Sequence, residues 1–131
     1  MYTIVENEEF MNVPITEPVF QDCPIRNVLA HICGKWSLLV VYTLHRNGRL
    51  RFNAIHKAIP DISQKMLTST LRTLEADGLV TRHVYAEVPP RVEYELTERA
   101  ESFIPIVEAM TEWALAHMAG IMKDRQRAVE A

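Results

Sequence analysis

The chain has 131 residues, 48% hydrophobic and 24% charged, which fits one ordinary globular domain and excludes wholesale disorder. No apolar run reaches the roughly 18 residues that span a bilayer, and the acidic opening MYTIVENEEFMN lacks the apolar region of a signal peptide. Two cysteines, Cys23 and Cys33, are too few for a disulfide scaffold, so no membrane association and a reducing, cytoplasmic setting are expected.

The formal net charge of −3 hides an uneven distribution. Residues 1–22 carry Glu6, Glu8, Glu9, Glu17 and Asp22 and no basic residue, whereas residues 44–91 carry eight Lys/Arg against four Asp/Glu. Screening confines each charge to about 10 Å at ordinary salt, so a basic middle acts locally despite acidic ends.

Residues 1–22, with Pro14 and Pro18 and no clear period, read as an arm. Ile25, Val28, Leu29 and Ile32 then mark one stripe of an amphipathic helix, with Pro24 suited to its first turn and Gly34 to its end. WSLLVVYTL, residues 36–44, is apolar nearly all round and predicts a helix in the middle of the core. A turn at Asn47-Gly48 leads to a short strand through Leu50. Phe52, Ile55 and Ile59 mark a third helix closed by Pro60.

Ser63 is a good N-cap for a fourth helix, and Ile62 can pack on Leu67 as a hydrophobic staple. Leu67, Leu71 and Leu74 form the buried stripe of that helix, and Gly78 supplies its left-handed stop. Two helices joined only by PDIS make a helix-turn-helix. Leu79–Tyr85 and Arg91–Leu96 follow as a hairpin with a stiff tip at Pro89-Pro90. Thr97 caps a long last helix reaching at least Met118, with Phe103, Val107, Met110, Ala114, His117 and Ile121 in one stripe and Ile106 and Trp113 widening it. Pro105 in its second turn predicts a bend or a late start, and the tail KDRQRAVEA is expected to fray. The expected segments are an arm at 1–22, a domain at 23–122 and a tail at 123–131.

At 100° per residue, burying Leu67 sends Lys65, Ser69, Arg72 and Ala76 to the far side of the fourth helix. Thr68 and Thr73 flank them, and Gln64 stands at the leading end. Such amide, hydroxyl and cationic groups suit base edges and phosphates in a major groove, and Glu75 and Asp77 come only at the trailing end. On an isolated helix this would read as an ordinary solvated face. Here a tight turn precedes the helix and a hairpin carrying Arg82, His83 and Arg91 follows it. That is the order of a winged helix-turn-helix, mainly α with a small β-hairpin wing. Arg49 and Arg51 stand before the third helix, where further phosphate contacts are expected.

The sequence also resembles the HxlR-type (MarR-like) bacterial and archaeal transcription regulators. The resemblance rests on CP at Cys23-Pro24, GKW at Gly34–Trp36, RFNAI at Arg51–Ile55, ISQKMLTSTLRTLEADGLV at 62–80 and EVPPRVEYELT at Glu87–Thr97. It spans about residues 23–118 and leaves out the arm. It implies a homodimeric repressor or activator on a near-palindromic DNA operator, dimerised by the first and last helices through Ile25, Val28, Phe103, Val107, Met110 and Trp113. The last helix argues independently for a dimer, because a stripe with Phe103, Met110 and Trp113 is poorly suited to water.

Cys23 stands at a helix N-terminus, where free amides and the helix dipole favour a thiolate. Some members of the resembled family sense oxidants or electrophiles at this position, which makes Cys23 a redox-sensing candidate; the plain alternative is a small helix-start residue near the interface. Cys33 reads as a buried apolar filler. Ten residues of helix hold the two about 15 Å apart, beyond the roughly 7 Å reach of a disulfide. Any oxidative switch would therefore join Cys23 across the dimer or to a small thiol.

Enzyme signatures are missing. CGKWS fails as a phosphate loop because Trp36 occupies the Ser/Thr position, and the five histidines lack metal-ligand spacing. No cofactor, metal or catalytic constellation is expected. Two alternatives to the cysteine-switched regulator stay open: a regulator answering a small molecule in a pocket between the dimer helices, and a winged-helix protein-interaction module.

Overall fold

The computed structural model describes residues 23–131, so the expected arm lies outside the described residues. Its first helix, α1, starts as a π-helical turn, Ile25–Leu29, and continues as Ala30–Ile32. The wide first turn allows the Ala30 N–H to reach both Ile25 and Val28 carbonyls. Gly34, in extended conformation, is the N-cap of α2, Lys35–Asn47, and the chain bends by 57° between the two helices.

The apolar run in α2 is only half enclosed. Ser37, Val40, Val41 and Leu44 are buried, while Leu39 and Tyr42 remain partly open. The reason is coverage, since a small domain packs one side of this helix and leaves the other beside an open apolar groove with Met110. Gly48, at φ 75°, ends α2 and leads to β1, Leu50–Arg51, then α3, Phe52–Ala58.

The fourth helix, α4, spans Gln64–Ala76. Ser63 caps it as read from the sequence, its Oγ accepting the Met66 N–H at 3.0 Å. Leu67, Leu71 and Leu74 are buried with Ile62 in the main core, and Thr70 joins the buried face. Gly78 has φ 73°, and a Cβ there would also meet the Arg99 guanidinium at 2.5 Å.

Strands β2, Val80–Tyr85, and β3, Arg91–Leu96, form the expected hairpin. Their sheet is antiparallel in the order β1-β3-β2, with Leu50 opposite Tyr94 and Arg82 opposite Tyr94 on the other side. The last helix, α5, covers Glu98–Glu130. Thr97 Oγ1 accepts the Ala100 N–H at 3.3 Å, and Glu98 and Glu101 complement the positive helix start.

Pro105 does not delay α5, although it forfeits the bond to the Glu101 carbonyl. Nor does the tail leave the helix. Good helix formers and a Gln126–Glu130 side-chain bond of 3.0 Å carry it through Glu130. Among the described residues, no single helix is long and apolar enough to cross a membrane. Leu74→Ala, which opens a void where α4 meets the core, should cost about 2–5 kcal/mol of unfolding free energy in urea titrations.

Candidate nucleic-acid interface

Burial of its leucines fixes what α4 turns outward. Lys65, Ser69, Arg72 and Ala76 are exposed on the opposite side, as the 100° step requires. Gln64, Lys65, Thr68, Ser69, Arg72 and Thr73 line one shallow depression, and no carboxylate is among them. Thr68 Oγ1 donates to the Gln64 carbonyl at 2.9 Å, so this hydroxyl offers an outside partner only its lone pairs.

A second cleft, about 380 Å³, lies between α4 and the sheet. Arg72 and Arg82 both line it, with Thr68, Leu71 and the trailing Glu75 on the helix side and Phe52 and Tyr94 completing the lining. The structure thus brings Arg82 of the wing to the same opening as the helix cation. Among the described residues, Lys65, Arg72 and Arg82 have no carboxylate within 4.0 Å. Their charge is available to a partner.

Other expected cations are committed within the protein. Arg49 donates to the Tyr85 hydroxyl at 2.6 Å and to Glu95 Oε1 at 2.9 Å, which braces the start of β1 against the wing. His83 Nε2 lies 2.6 Å from the same Glu95 oxygen. Arg91 stacks over the Tyr85 ring at 3.9 Å and pairs with Glu87 at 3.3 Å, which ties it to the hairpin. Arg51 is the intermediate case, with Nε 3.9 Å from Glu93 and most of its side chain in solvent.

This brace was missed in the sequence. Period-2 alternation in RVEYEL puts Glu93 and Glu95 on one face of β3, which was a usable signal. Their meeting with Arg49 depends on the β1–β3 ladder between segments some 40 residues apart, and no local pattern reports that.

Residues 31–122 match the family model described as HxlR-like helix-turn-helix. The chain belongs to the HxlR-like helix-turn-helix family. It is 54% identical over 91 residues to an HTH-type transcriptional regulator of Methanothermobacter thermautotrophicus, covering 70% of this chain and 69% of that one. It is also similar to the oxidized form of the redox regulator HypR, with TM-score 0.65, 47% identity, and coverage of 72% of this chain and 96% of that one. The diamide-treated YodB of Bacillus subtilis aligns with TM-score 0.62 and 34% identity over 70% of this chain and 90% of that one. The protein is thus a DNA-binding transcriptional regulator of the HxlR-like family, and its relatives are regulators rather than enzymes.

Within this HxlR-like chain the expected dimer residues divide. Ile25, Val28, Met110 and Trp113 are exposed, Trp113 to 62%. Phe103 and Val107 are instead buried in the protomer's own core, because the first turns of α5 pack against α2 and the sheet. Cys33 departs from expectation too. Cys23 sits at the start of α1, where its carbonyl accepts the Asn27 N–H at 2.9 Å, but the residue is only 2% exposed. Cys33, read as the buried filler, is the more open of these two free thiols.

The brace has a pH signature. Arg49 first, and His83 second, hold the Glu95 carboxyl below its ordinary value of 4.5 by hydrogen bonding. A carboxyl lowered on folding stabilises fully above its ordinary value, and that contribution disappears as pH falls through the lowered one. Thermal melts of Glu95→Gln should therefore show a lower Tm at neutral pH and a gap to the parent that closes in acid, below about pH 4.5. A gap independent of pH would contradict this origin.

Proposed function

We propose that the protein acts as a homodimer on a near-palindromic operator, with one α4 per half-site in the major groove and Arg82 of the wing on the adjoining backbone. The observation that carries this reading is the outward face of α4. Gln64, Lys65, Ser69 and Arg72 converge there without a carboxylate, and Arg82 opens onto the adjoining cleft. Thr68 contributes acceptor lone pairs, and Arg51 is a peripheral phosphate contact. Arg49 and Arg91 act by holding the wing in place.

The length of α5 supports the dimer. Its 33 residues extend about 50 Å, and beyond Val107 its side chains are almost all exposed, including Trp113, Leu115, Met118 and Met122. So many apolar groups on one helix suit a partner surface better than water. A second copy presenting the same helix, together with Ile25 and Val28 of α1, satisfies them by twofold symmetry. Residues 23–122 are then the regulatory unit, and the end of α5 extends beyond it.

The signal we propose is oxidation of Cys23. Two of the similar solved structures are an oxidized redox regulator and a diamide-treated protein. A thiol enclosed at the root of α1 gains bulk and polarity on oxidation.

Footprinting on the DNA upstream of the protein's own gene, with and without diamide, tests both parts. A protected, roughly twofold-symmetric site that responds to diamide, and no longer responds in Cys23→Ser, is expected. An unaltered diamide response in Cys23→Ser removes the switch and leaves the DNA reading intact. Arg72→Ala should weaken operator binding by about 1–3 kcal/mol if the side chain reaches a base. Arg82→Ala should weaken binding to all sequences and lower the salt slope by about 1. Operator affinity unchanged in both variants would defeat the docking.

A further inference from the structure

We propose that Met66 is a specificity-determining residue whose side chain packs on the 5-methyl group of a thymine in each operator half-site. The inference rests on the docking of α4 proposed above and adds an apolar base contact to it.

Met66 is the one large apolar side chain of α4 that the core does not take. Leu67, Leu71 and Leu74 are buried, whereas Met66 is 42% exposed. Helix propensity does not require it, because Gln, Lys and Glu form helices equally well and expose less apolar surface. Its neighbours on the outward face are amide, hydroxyl and cationic groups, so an apolar side chain among them is the exception.

Two features bring that exception to a base edge. Along the axis, Met66 lies in the first turn of α4, and recognition helices address base edges with their N-terminal residues. Its own N–H is the one that Ser63 Oγ accepts at 3.0 Å, so the backbone that carries it is anchored. Around the axis, at 100° per residue, Met66 stands about 60° from Ser69 and about 20° from Thr73, both of which line the depression on the outward face. Thr68 and Arg72 lie on the other flank, where they open onto the cleft shared with Arg82 of the wing. Cations and the wing thus hold one side of the face, and Met66 holds the opposite side.

A major groove offers that side chain one apolar feature. Donors and acceptors distinguish the base pairs by hydrogen bonding, and the thymine methyl group alone is read by apolar contact. Packing the two together removes both from water, and the unbranched, polarisable thioether adapts to the exact place of the methyl group.

Thymine-to-uracil scanning of the footprinted operator tests this, since the exchange removes the methyl group and keeps every hydrogen-bonding edge. Duplexes with one uracil each, titrated with full-length protein, should reveal a position in each half-site where the methyl group changes Kd about three- to fivefold, as burial of one such group does. Met66→Ala should weaken binding to the thymine duplex at least as much and erase the thymine–uracil difference at that position. Met66→Leu, which keeps the apolar bulk, should retain it. Because the side chain is exposed, both variants should melt as the parent does. A uracil penalty of undiminished size in Met66→Ala would report DNA shape instead of contact, and it overturns the proposal. Sequence-specific binding with no methyl-dependent position refutes the role of Met66 alone. A parent that holds its operator no better than unrelated duplex refutes the docking of α4, and Met66 with it.

Discussion

Leu67, Leu71 and Leu74 hold α4 at one rotation about its own axis, packed toward α2 in a core that includes Val40, Val41 and Leu44. Each fully buried leucine contributes roughly 1.5–3 kcal/mol of transfer free energy, far more than a solvated lysine or serine opposite could gain by facing inward. One hydrophobic seam therefore decides which residues meet an outside molecule. Ser63 adds the start of the helix and Gly78 its stop, so the position of the recognition face along the axis is fixed as well. Without that seam Gln64, Lys65, Ser69 and Arg72 are an unordered set of polar groups. With it they form one surface.

Electrostatics then sorts the cations by what lies beside them. A net charge of −3 is compatible with nucleic-acid binding because most acidic groups near the wing are paired and Glu75 stands only at the trailing end of α4. Glu93 and Glu95 absorb Arg49, Arg51 and His83 within the sheet, and Glu87 takes Arg91 at the hairpin. These pairs align the wing. Lys65, Arg72 and Arg82 are left unspent, and they lie on the same side of the molecule. The division of labour follows from distance and partner, not from residue type.

The helix α5 serves two environments along its length. Ala100, Phe103, Ile104 and Val107 belong to the protomer core, while later turns expose Trp113, Leu115 and Met118. The two halves are one continuous helix. The inner half in turn touches the end of α4 through Arg99 and Thr97. Events at α1 arrive at the same place through His31 and Asp77. The junction at Asp77–Leu79 is thus where α1 and α5 both bear on the end of α4.

Read alone, the amino-acid order determined most of the elements and the polarity of their faces. Leucine spacing, the Ser63 cap, Gly78 and the β-branched hairpin strands are local signals, and each acts within a few residues. Gln64, Lys65, Ser69 and Arg72 could be named from that spacing, since burying one side of a helix necessarily exposes the other. Tertiary structure decided which neighbours each charge would find. Arg49 looked free until β1 paired with β3, and Phe103 and Val107 looked like interface until the core claimed them. Pairing and burial are set by contacts between distant segments, and a periodicity read along one helix or strand carries no record of what will pack against it.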